Sequence, residues 1–483
     1  MPATPSGLTR VQSDSAELLQ QQSPARRHTL PATGKPPGRP KVTTTPSGRR
    51  KRAASTRVRA LFSLTQTQAT IRKWLYAGYV YLCILLVIFV GIRPYVQHYA
   101  LSGYEPVGWA LGYLFGDIPQ FRFQVVKANL ERWIPLPTLL STINASTDAD
   151  SSLAGCTPGE GWVQHTRLNS LGAATTRLLL SAYFLLTILT GLAVVFRLSP
   201  VYEVDTRRKV FHFMMVAMFL PTLYVDPCYA ALALALVLAV FLLLDLLRAS
   251  QLPPLSRPIA RFLTPYVDGR DLRGPVVISH IFLLIGCAIP VWLSLASLPR
   301  VSTTTTTTTP FSSENGPATT AAAAAAANTG WEVPVREVGM VSGVVCVGLG
   351  DAAASLVGRR WGHRKWLWGG GKSVEGSAAF AAAVFVGLMG AALWLRVGGW
   401  AVASASSSGV GGLGGGGGGG GSGMESLMSV LEWRVLWPWL RVEGPKTVVC
   451  ASLASLTEAV LTGGNDNVVV PVVLWGCVKS LGV

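Results

Sequence analysis

The amino-acid sequence predicts an all-α, polytopic integral membrane protein with about nine transmembrane helices and a disordered, basic N-terminal tail. Hydrophobic residues make up 50% of the 483 residues and charged residues only 13%, whereas a soluble protein carries about 25% charged residues. Apolar runs close to the length that crosses a bilayer, about 20 residues, recur along the chain. The expected spans are residues 74–92, 172–196, 210–226, 228–247, 276–298, 337–357, 378–396, 447–462 and 467–482.

The first 70 residues differ in composition from the remainder, residues 71–483, which form the multi-span domain. They are rich in Pro, Ser, Thr, Arg and Gln and contain few aromatic residues, so they are predicted to be disordered. Twelve Lys or Arg residues against two acidic residues give this tail a large part of the net charge of +17. Because many predicted spans follow the tail, we interpret its charge as a cytoplasmic orientation signal or a contact with anionic lipid, in preference to nucleic-acid binding. We therefore expect the lipid bilayer as a partner and no nucleic acid.

Basic residues are concentrated in the loops on one side of the predicted membrane. With a cytoplasmic N-terminus, the basic loops at 197–209, 248–275 and 358–377 all fall on the cytoplasmic side. The loops on the opposite side are less basic and contain low-complexity stretches at about 300–330 and 402–424. Because cytoplasmic loops of membrane proteins carry an excess of Lys and Arg, the two assignments agree. Polar clusters that flank the spans are thus expected on the cytoplasmic face.

The stretch from Gly343 to Ser377 carries the strongest chemical signal. It begins as an apolar helix with small residues at four-residue spacing, reaches Asp351, and continues as a basic, glycine-rich loop around Lys372. An unpaired carboxylate at membrane depth costs several kcal/mol, and glycine-loop N–H groups beside a lysine suit phosphates. We interpret the stretch as a nucleotide-polyphosphate site in which Asp351 or Glu375 holds a divalent cation. The alternative is a packing helix whose acid lies at the water interface.

Two further clusters lie at the ends of predicted spans. Lys209 and His212, in the run RRKVFHF, stand at the mouth of one span, where simple flanking anchors are the alternative. Near the end of the chain, Glu458 lies within an apolar run, and a carboxylate in a span is a functional candidate. Asp466 and Asn467 follow a glycine pair that breaks this run, and they are expected either to line a polar cavity or to cap a helix.

A third cluster is the segment DGRDLRGPVVISH. Asp268, Arg270 and Asp271 precede a helix that Pro275 can start, and His280 lies one turn or more inside that helix. Ordinary capping at a helix N-terminus is the alternative interpretation of these acids.

Several of these blocks together resemble the dolichol kinases of the polyprenol kinase family. GDAAASLVG with its basic loop and GKSVEGS resembles the CTP-binding region of that family, and RKVFHF, DGRD…GP…H and the terminal E…DN…P resemble further blocks. The resemblance covers roughly 200–290, 340–377 and 455–471, in family order. It implies an endoplasmic-reticulum, multi-pass enzyme with its active site facing the cytoplasm. That enzyme would phosphorylate dolichol or another polyprenol with CTP and a divalent cation such as Mg²⁺, giving dolichyl phosphate for protein glycosylation.

The resemblance also implies roles for individual residues. The expected catalytic residues are Asp351, His212, Asp271 and Asp466, and the expected metal ligands are Asp351 and Glu375. The expected nucleotide-binding residues are Gly350, Ser355, Arg364, Lys365, Gly370, Lys372, Glu375, Gly376 and Lys209. The family usually has two adjacent lysines where this chain has Gly371 and Lys372, so one phosphate contact is assigned to Arg364 or Lys365 instead. The residue that accepts the hydroxyl proton, a carboxylate or His212, is left open.

Two other functions remain as alternatives. One is another CTP-using membrane lipid enzyme, either a phytol- or diacylglycerol-type kinase or a phosphatidate cytidylyltransferase. The other is a transporter with intramembrane acids, which would be expected to contain internal repeats and acids near the bilayer midplane. The sequence contains no evident repeat, and its acids cluster towards one face, so the enzyme is favoured.

Overall fold

The computed structural model describes residues 65–136, 161–198, 204–263, 278–298, 335–368, 371–402, 433–461 and 466–483, which all belong to one compact unit. These residues are mostly helical, and two short strands, β1 (Val335–Arg336) and β2 (Ala401–Val402), pair in parallel. The α-helices are α1 (Gln66–Leu86), α2 (Arg93–Tyr99), α3 (Pro106–Phe115), α4 (Pro119–Lys127), α5 (Trp162–His165), α6 (Ala173–Leu198), α7 (Val204–Thr222), α8 (Pro227–Ser250), α9 (Ser256–Leu263), α10 (Ile278–Ser297), α11 (Asp351–Trp361), α12 (Val374–Gly398), α13 (Trp433–Val460) and α14 (Asp466–Leu481).

Five helices of the described residues are long and apolar enough to cross a membrane. They are Gln66–Tyr99, Ala173–Leu198, Pro227–Ser250, His280–Ser297 and Val374–Gly398.

The other four predicted spans lie on α7, on residues 338–361, on α13 and on α14, so the count of about nine stays a prediction. Two of these elements, α7 and α14, differ clearly from the first five. The helix α7 begins with a run of basic residues, and α14 has 16 residues, fewer than the about 20 that cross a bilayer. The tail predicted to be disordered spans residues 1–70; residues 1–64 lie outside the described residues, whereas residues 66–70 are helical and form the start of α1, which corrects the boundary.

The span predicted at 337–357 is not one regular helix, because residues 338–361 form three kinds of helix in succession. A 3-10 helix (Val338–Val341) leads into a π-helix (Val344–Gly350), and α11 begins at Asp351. Three glycines in the π-helix and just before it weaken the regular α-helical pattern. Wide π-helical turns are frequent at functional sites, and here the change of helix type occurs directly before the carboxylate predicted to be functional.

The core surrounds this π-helical segment. Val341, Val344 and Val345 are fully buried and belong to one apolar cluster with side chains of α7, α8, α10, α12, α13 and α14. Backbones approach closely here, since a Cβ added at Gly343 would lie 2.3 Å from the carbonyl oxygen of Gly286. Small residues thus allow the segment to pack deep between the helices, as their spacing predicted.

Gly286 of α10 provides a test of this packing. An added Cβ would lie 2.0 Å from the carbonyl oxygen of Asn467, so Gly286→Ala must push α14 away from α10. We expect a loss of about 1–3 kcal/mol in the free energy of unfolding, measured by thermal unfolding in detergent. Gly390→Ala on α12 is the matched control, because an added Cβ there meets nothing within 4 Å. Equal stability of the two variants would contradict the packing.

Candidate active site

The carboxylate of Asp351 is held by two side chains of α7. Lys209 Nζ lies 2.7 Å, and His212 Nε2 lies 2.9 Å, from the same oxygen, Asp351 Oδ2. Lys209 and His212 are three residues apart on a helix, so they lie on one face and reach the same group. The His212 side chain is 7% exposed and that of Asp351 33%. The acid that the sequence singled out therefore has the cationic partner that its depth requires.

His212 is fixed at both ring nitrogens. Its Nδ1 lies 3.1 Å from the carbonyl oxygen of Arg208, while its Nε2 faces Asp351. Both ring nitrogens face oxygen acceptors of the chain, which limits rotation of the imidazole. His212 thus orients the carboxylate of Asp351.

The basic loop between α11 and α12 folds back on itself. A backbone bridge pairs Lys365 with Ser373, and the rings of Trp366 and Trp368 stack with centroids 4.5 Å apart. The Ser373 hydroxyl accepts the N–H of Gly376 at 3.1 Å and so caps α12. The described part of the loop consequently has a fixed backbone, which a phosphate-binding loop needs.

Glu375 belongs to this loop and stabilises it. Its carboxylate accepts the backbone N–H of Arg364, at 3.1 Å to one oxygen and 3.2 Å to the other. Glu375 is not among the side chains that line the polar cavity described below. The geometry therefore gives Glu375 a structural contact, and its expected role as a metal ligand stays a prediction.

Lys372 connects the loop to the C-terminal helices. Its Nζ lies 2.7 Å from Glu458 Oε1 of α13 and 3.2 Å from Asp466 Oδ2 of α14. The same ammonium donates to the carbonyl oxygens of Glu458 and Leu461, the latter at 2.9 Å. Two carboxylates and two carbonyls thereby hold one lysine from the glycine-rich loop.

A polar cavity joins the Asp351 and Lys372 clusters. Its volume is about 380 Å³, within the size range typical of ligand sites. Its lining includes Asp351, Ser355, Lys365, Lys372 and Glu458. The cavity thus brings together Asp351 and Glu458, which are 107 positions apart in the chain.

The carboxylates of this cavity fit a metal that arrives with phosphates. No group of three His, Cys, Asp or Glu side chains in the described ranges could hold a metal ion without another ligand. Mg²⁺ commonly binds through one or two carboxylates together with phosphate oxygens. Asp351 and Glu458 both line the cavity and can supply such carboxylates.

Other predicted residues have different surroundings. Gly350 packs against the ring of Phe380, where an added Cβ would lie 2.8 Å from Cε2, so its small size serves packing. His280 lies against the rings of Phe211 and Phe241, in an apolar environment. The exposed Arg364 joins the loop through its backbone. Asp268, Arg270, Asp271 and Gly370 lie outside the described residues.

Glu458 is a cavity carboxylate that the sequence reasoning left out of its set of site residues. Its signal was present, because a carboxylate within an apolar run is costly unless paired. Its pairing with Lys372, 86 residues earlier, is a tertiary contact that no local pattern predicts.

Comparison with known proteins supplies three similar sequences. The chain is 36% identical over 180 residues to a protein named dolichol kinase from Schizosaccharomyces pombe, covering 37% of this chain and 29% of that protein. It is 31% identical over 205 residues to one from Arabidopsis thaliana (42% and 30%) and 30% identical over 233 residues to one from Homo sapiens (46% and 38%).

These relatives confirm the resemblance that the sequence motifs predicted. The chain spans about a third of the length of the curated relatives it matches, at 29%, 30% and 38%. No family model matches the chain, and no solved structure matches it.

The Lys372–Glu458 contact can be tested by a double-mutant cycle. With Lys372→Met, Glu458→Gln and the double variant, we expect a coupling of about 1–3 kcal/mol in thermal unfolding, because the pair is mostly shielded from water. The matched control is Lys446→Met with Glu443→Gln, a looser pair on α13 with 3.4 Å between Nζ and Oε1. That pair should couple by about 0.3–0.5 kcal/mol. Equal couplings would contradict a special role for Lys372.

Proposed function

We propose that this chain is a CTP-dependent dolichol kinase, which transfers the γ-phosphate of CTP to the terminal hydroxyl of dolichol and releases dolichyl phosphate. One observation carries the proposal: carboxylates of α11 and α13 and two lysines of the glycine-rich loop face one polar cavity, and a lysine of α7 pairs with one of those carboxylates. Phosphoryl transfer needs positioned reactants and neutralised charge more than covalent help from the protein, and this cavity is suited to both tasks. The similarity to proteins named dolichol kinase supports the choice of acceptor.

The triphosphate of CTP would bind between Lys365 and Lys372. Both lysines line the cavity, and the Ser373 hydroxyl, which also lines it, offers a further donor. Glu458 and Asp466 contact the Lys372 ammonium. Phosphate oxygens would take over part of that contact.

A divalent cation would neutralise charge on the β- and γ-phosphates when bound with the nucleotide. Asp351 and Glu458 are the cavity carboxylates that would contact it. Lys209 and His212 both bond Asp351 through Oδ2, so they hold the carboxylate in one orientation towards the cavity. They act as positioning residues in this proposal.

The hydroxyl of the lipid alcohol must lose its proton during transfer. The ring nitrogens of His212 are engaged by the Arg208 carbonyl oxygen and by Asp351, so a carboxylate is better suited than the imidazole to accept that proton. Asp351 touches the same helix, α7, that lines the apolar cavity considered below, which favours it over Glu458.

We assign the cavity to the cytoplasmic side of the endoplasmic-reticulum membrane. The support is the concentration of Lys and Arg in the loops beside it, which is typical of cytoplasmic loops. The donor CTP is then available from the cytoplasm, while the acceptor stays in the bilayer.

A related lipid kinase and a phosphatidate cytidylyltransferase would use a similar cavity, and their products separate them. A kinase releases CDP, whereas a cytidylyltransferase releases pyrophosphate. Incubation with CTP and a panel of lipid alcohols distinguishes the acceptors, and a transporter would consume no CTP.

The central test is phosphorylation of dolichol with γ-labelled CTP by the purified chain. Asp351→Asn keeps the shape of the side chain but removes its charge, so we expect kcat to fall by about 10²–10⁴-fold. Glu443→Gln on α13, whose carboxylate pairs with Lys446, is the control and should keep its activity. Equal labelling by wild type and Asp351→Asn would remove Asp351 from the mechanism, and no labelling by wild type would overturn the kinase assignment.

The orientation is tested by cysteine labelling in sealed microsomes, starting from a cysteine-free variant. We expect an impermeant maleimide to label His363→Cys and Gly371→Cys from the cytoplasmic side, because both positions lie in the basic loop. Ser102→Cys, after the first candidate span, should react only when the membrane is permeabilised. Labelling of all three positions from the same side would contradict the proposed topology.

A further inference from the structure

A second cavity lies among α6, α7, α8 and α10. Its volume is about 240 Å³, and every side chain that lines it is apolar except His280. Native cores keep few voids larger than a water molecule, and an apolar cavity of this kind stays dry and accepts apolar guests. This cavity, the apolar slot, is therefore a candidate binding site for an apolar ligand.

The apolar slot has two different ends. At its aromatic end, His280 stacks on Phe241 and meets Phe211 edge-on, each with ring centroids 5.7 Å apart. At its inner end lie Phe219 and Leu234. The rise of α7 between Phe211 and Phe219 is about 12 Å, so the slot is elongated along the helix and suits a chain.

The aromatic end lies beside the Asp351 cluster. Phe211 lines the slot, and the next residue of α7, His212, contacts Asp351. Successive helical residues differ in height by about 1.5 Å and project to neighbouring faces. The apolar slot and the Asp351 carboxylate therefore contact neighbouring faces of α7, at nearly the same height along the helix axis.

The slot also reaches the lipid-facing surface. Val237 of α8 lines it and is 37% exposed, on a helix long and apolar enough to cross the membrane. A long apolar chain can therefore enter from the bilayer without crossing a polar region. Met214, Met215 and Met218 contribute flexible side chains that adapt to an irregular, methyl-branched guest.

We propose that the apolar slot binds the hydroxyl-bearing end of a prenol, with the hydroxyl at the aromatic end and the remaining chain leaving past Val237. This inference rests on the proposed function, because it identifies the binding site of the acceptor lipid. Phe211, Phe241 and His280 then surround the first isoprene unit, and the hydroxyl lies next to the Asp351 cluster. The two substrates approach α7 on different faces, CTP through the polar cavity and prenol through the apolar slot.

The experiment uses a photoreactive farnesol analogue with the full-length protein in detergent, and mass spectrometry locates the labelled residues. We expect labels on α7, α8 and α10, and we expect unlabelled farnesol to displace the probe. Hexadecanol, a saturated alcohol, should compete about tenfold less well or worse. Equal competition by hexadecanol, or labels confined to other helices, would overturn the inference.

Paired variants on α8 make the test specific. Leu234→Trp and Val237→Trp fill the slot, at a buried and at a partly exposed position, whereas Leu236→Trp adds the same side chain at a position that is 66% exposed. For the slot variants we expect photolabelling to fall, and KM for the prenol to rise, by about tenfold or more, with KM for CTP unchanged. Leu236→Trp should behave as wild type. Val237→Trp keeps the test decisive if Leu234→Trp does not fold.

The outcomes separate this inference from the proposed function. Phosphorylation of dolichol by wild type, combined with unchanged prenol binding in Val237→Trp, would reject the slot and leave the kinase assignment standing. Displaceable labelling of the slot in a wild-type protein that phosphorylates no prenol would support the slot and reject the kinase.

Discussion

The pairing of Asp351 with Lys209 and His212 is the interaction on which the site depends. A carboxylate next to a buried, apolar segment cannot remain charged at low cost unless cations accompany it. Lys209 lies 142 residues earlier in the chain and supplies a contact of 2.7 Å. Because both partners of Asp351 lie on α7, these contacts hold α7 against the segment before α11 and determine where the polar cavity forms.

On the other side of the cavity, Lys372 is likewise a charged side chain whose partners of opposite charge come from distant parts of the sequence. Its ammonium is partly buried, and Glu458 and Asp466 compensate its charge. These contacts also tie the glycine-rich loop to α13 and α14 and so fix the position of its described part. Such preorganisation lowers the cost of ordering the loop on binding.

The sequence predicted the individual parts of this site better than their pairing. Asp351 was singled out because a charge at membrane depth is costly, and Lys209 and His212 because they lie at the mouth of a span; the three side chains do meet. Glu375 was predicted as a metal ligand from the resemblance; its carboxylate contacts the loop backbone, and the metal role stays a prediction. Helical periodicity shows which residues share one face of a single helix. It does not show that α13 packs against a loop residue 86 positions earlier in the chain. The switch to a π-helix before Asp351 likewise depends on packing that no local pattern records.

The contacts of His280, which the sequence analysis grouped with polar residues, likewise depend on tertiary packing. A histidine near the start of a span can face either a charge cluster or apolar neighbours, and its sequence position is compatible with both. In the described structure the rings of Phe211 and Phe241 pack against it. The proposed transfer of a phosphoryl group from a charged nucleotide to a lipid alcohol would need two adjoining environments of opposite polarity. Because Phe211 and His212 are consecutive, α7 is the helix on which these environments meet.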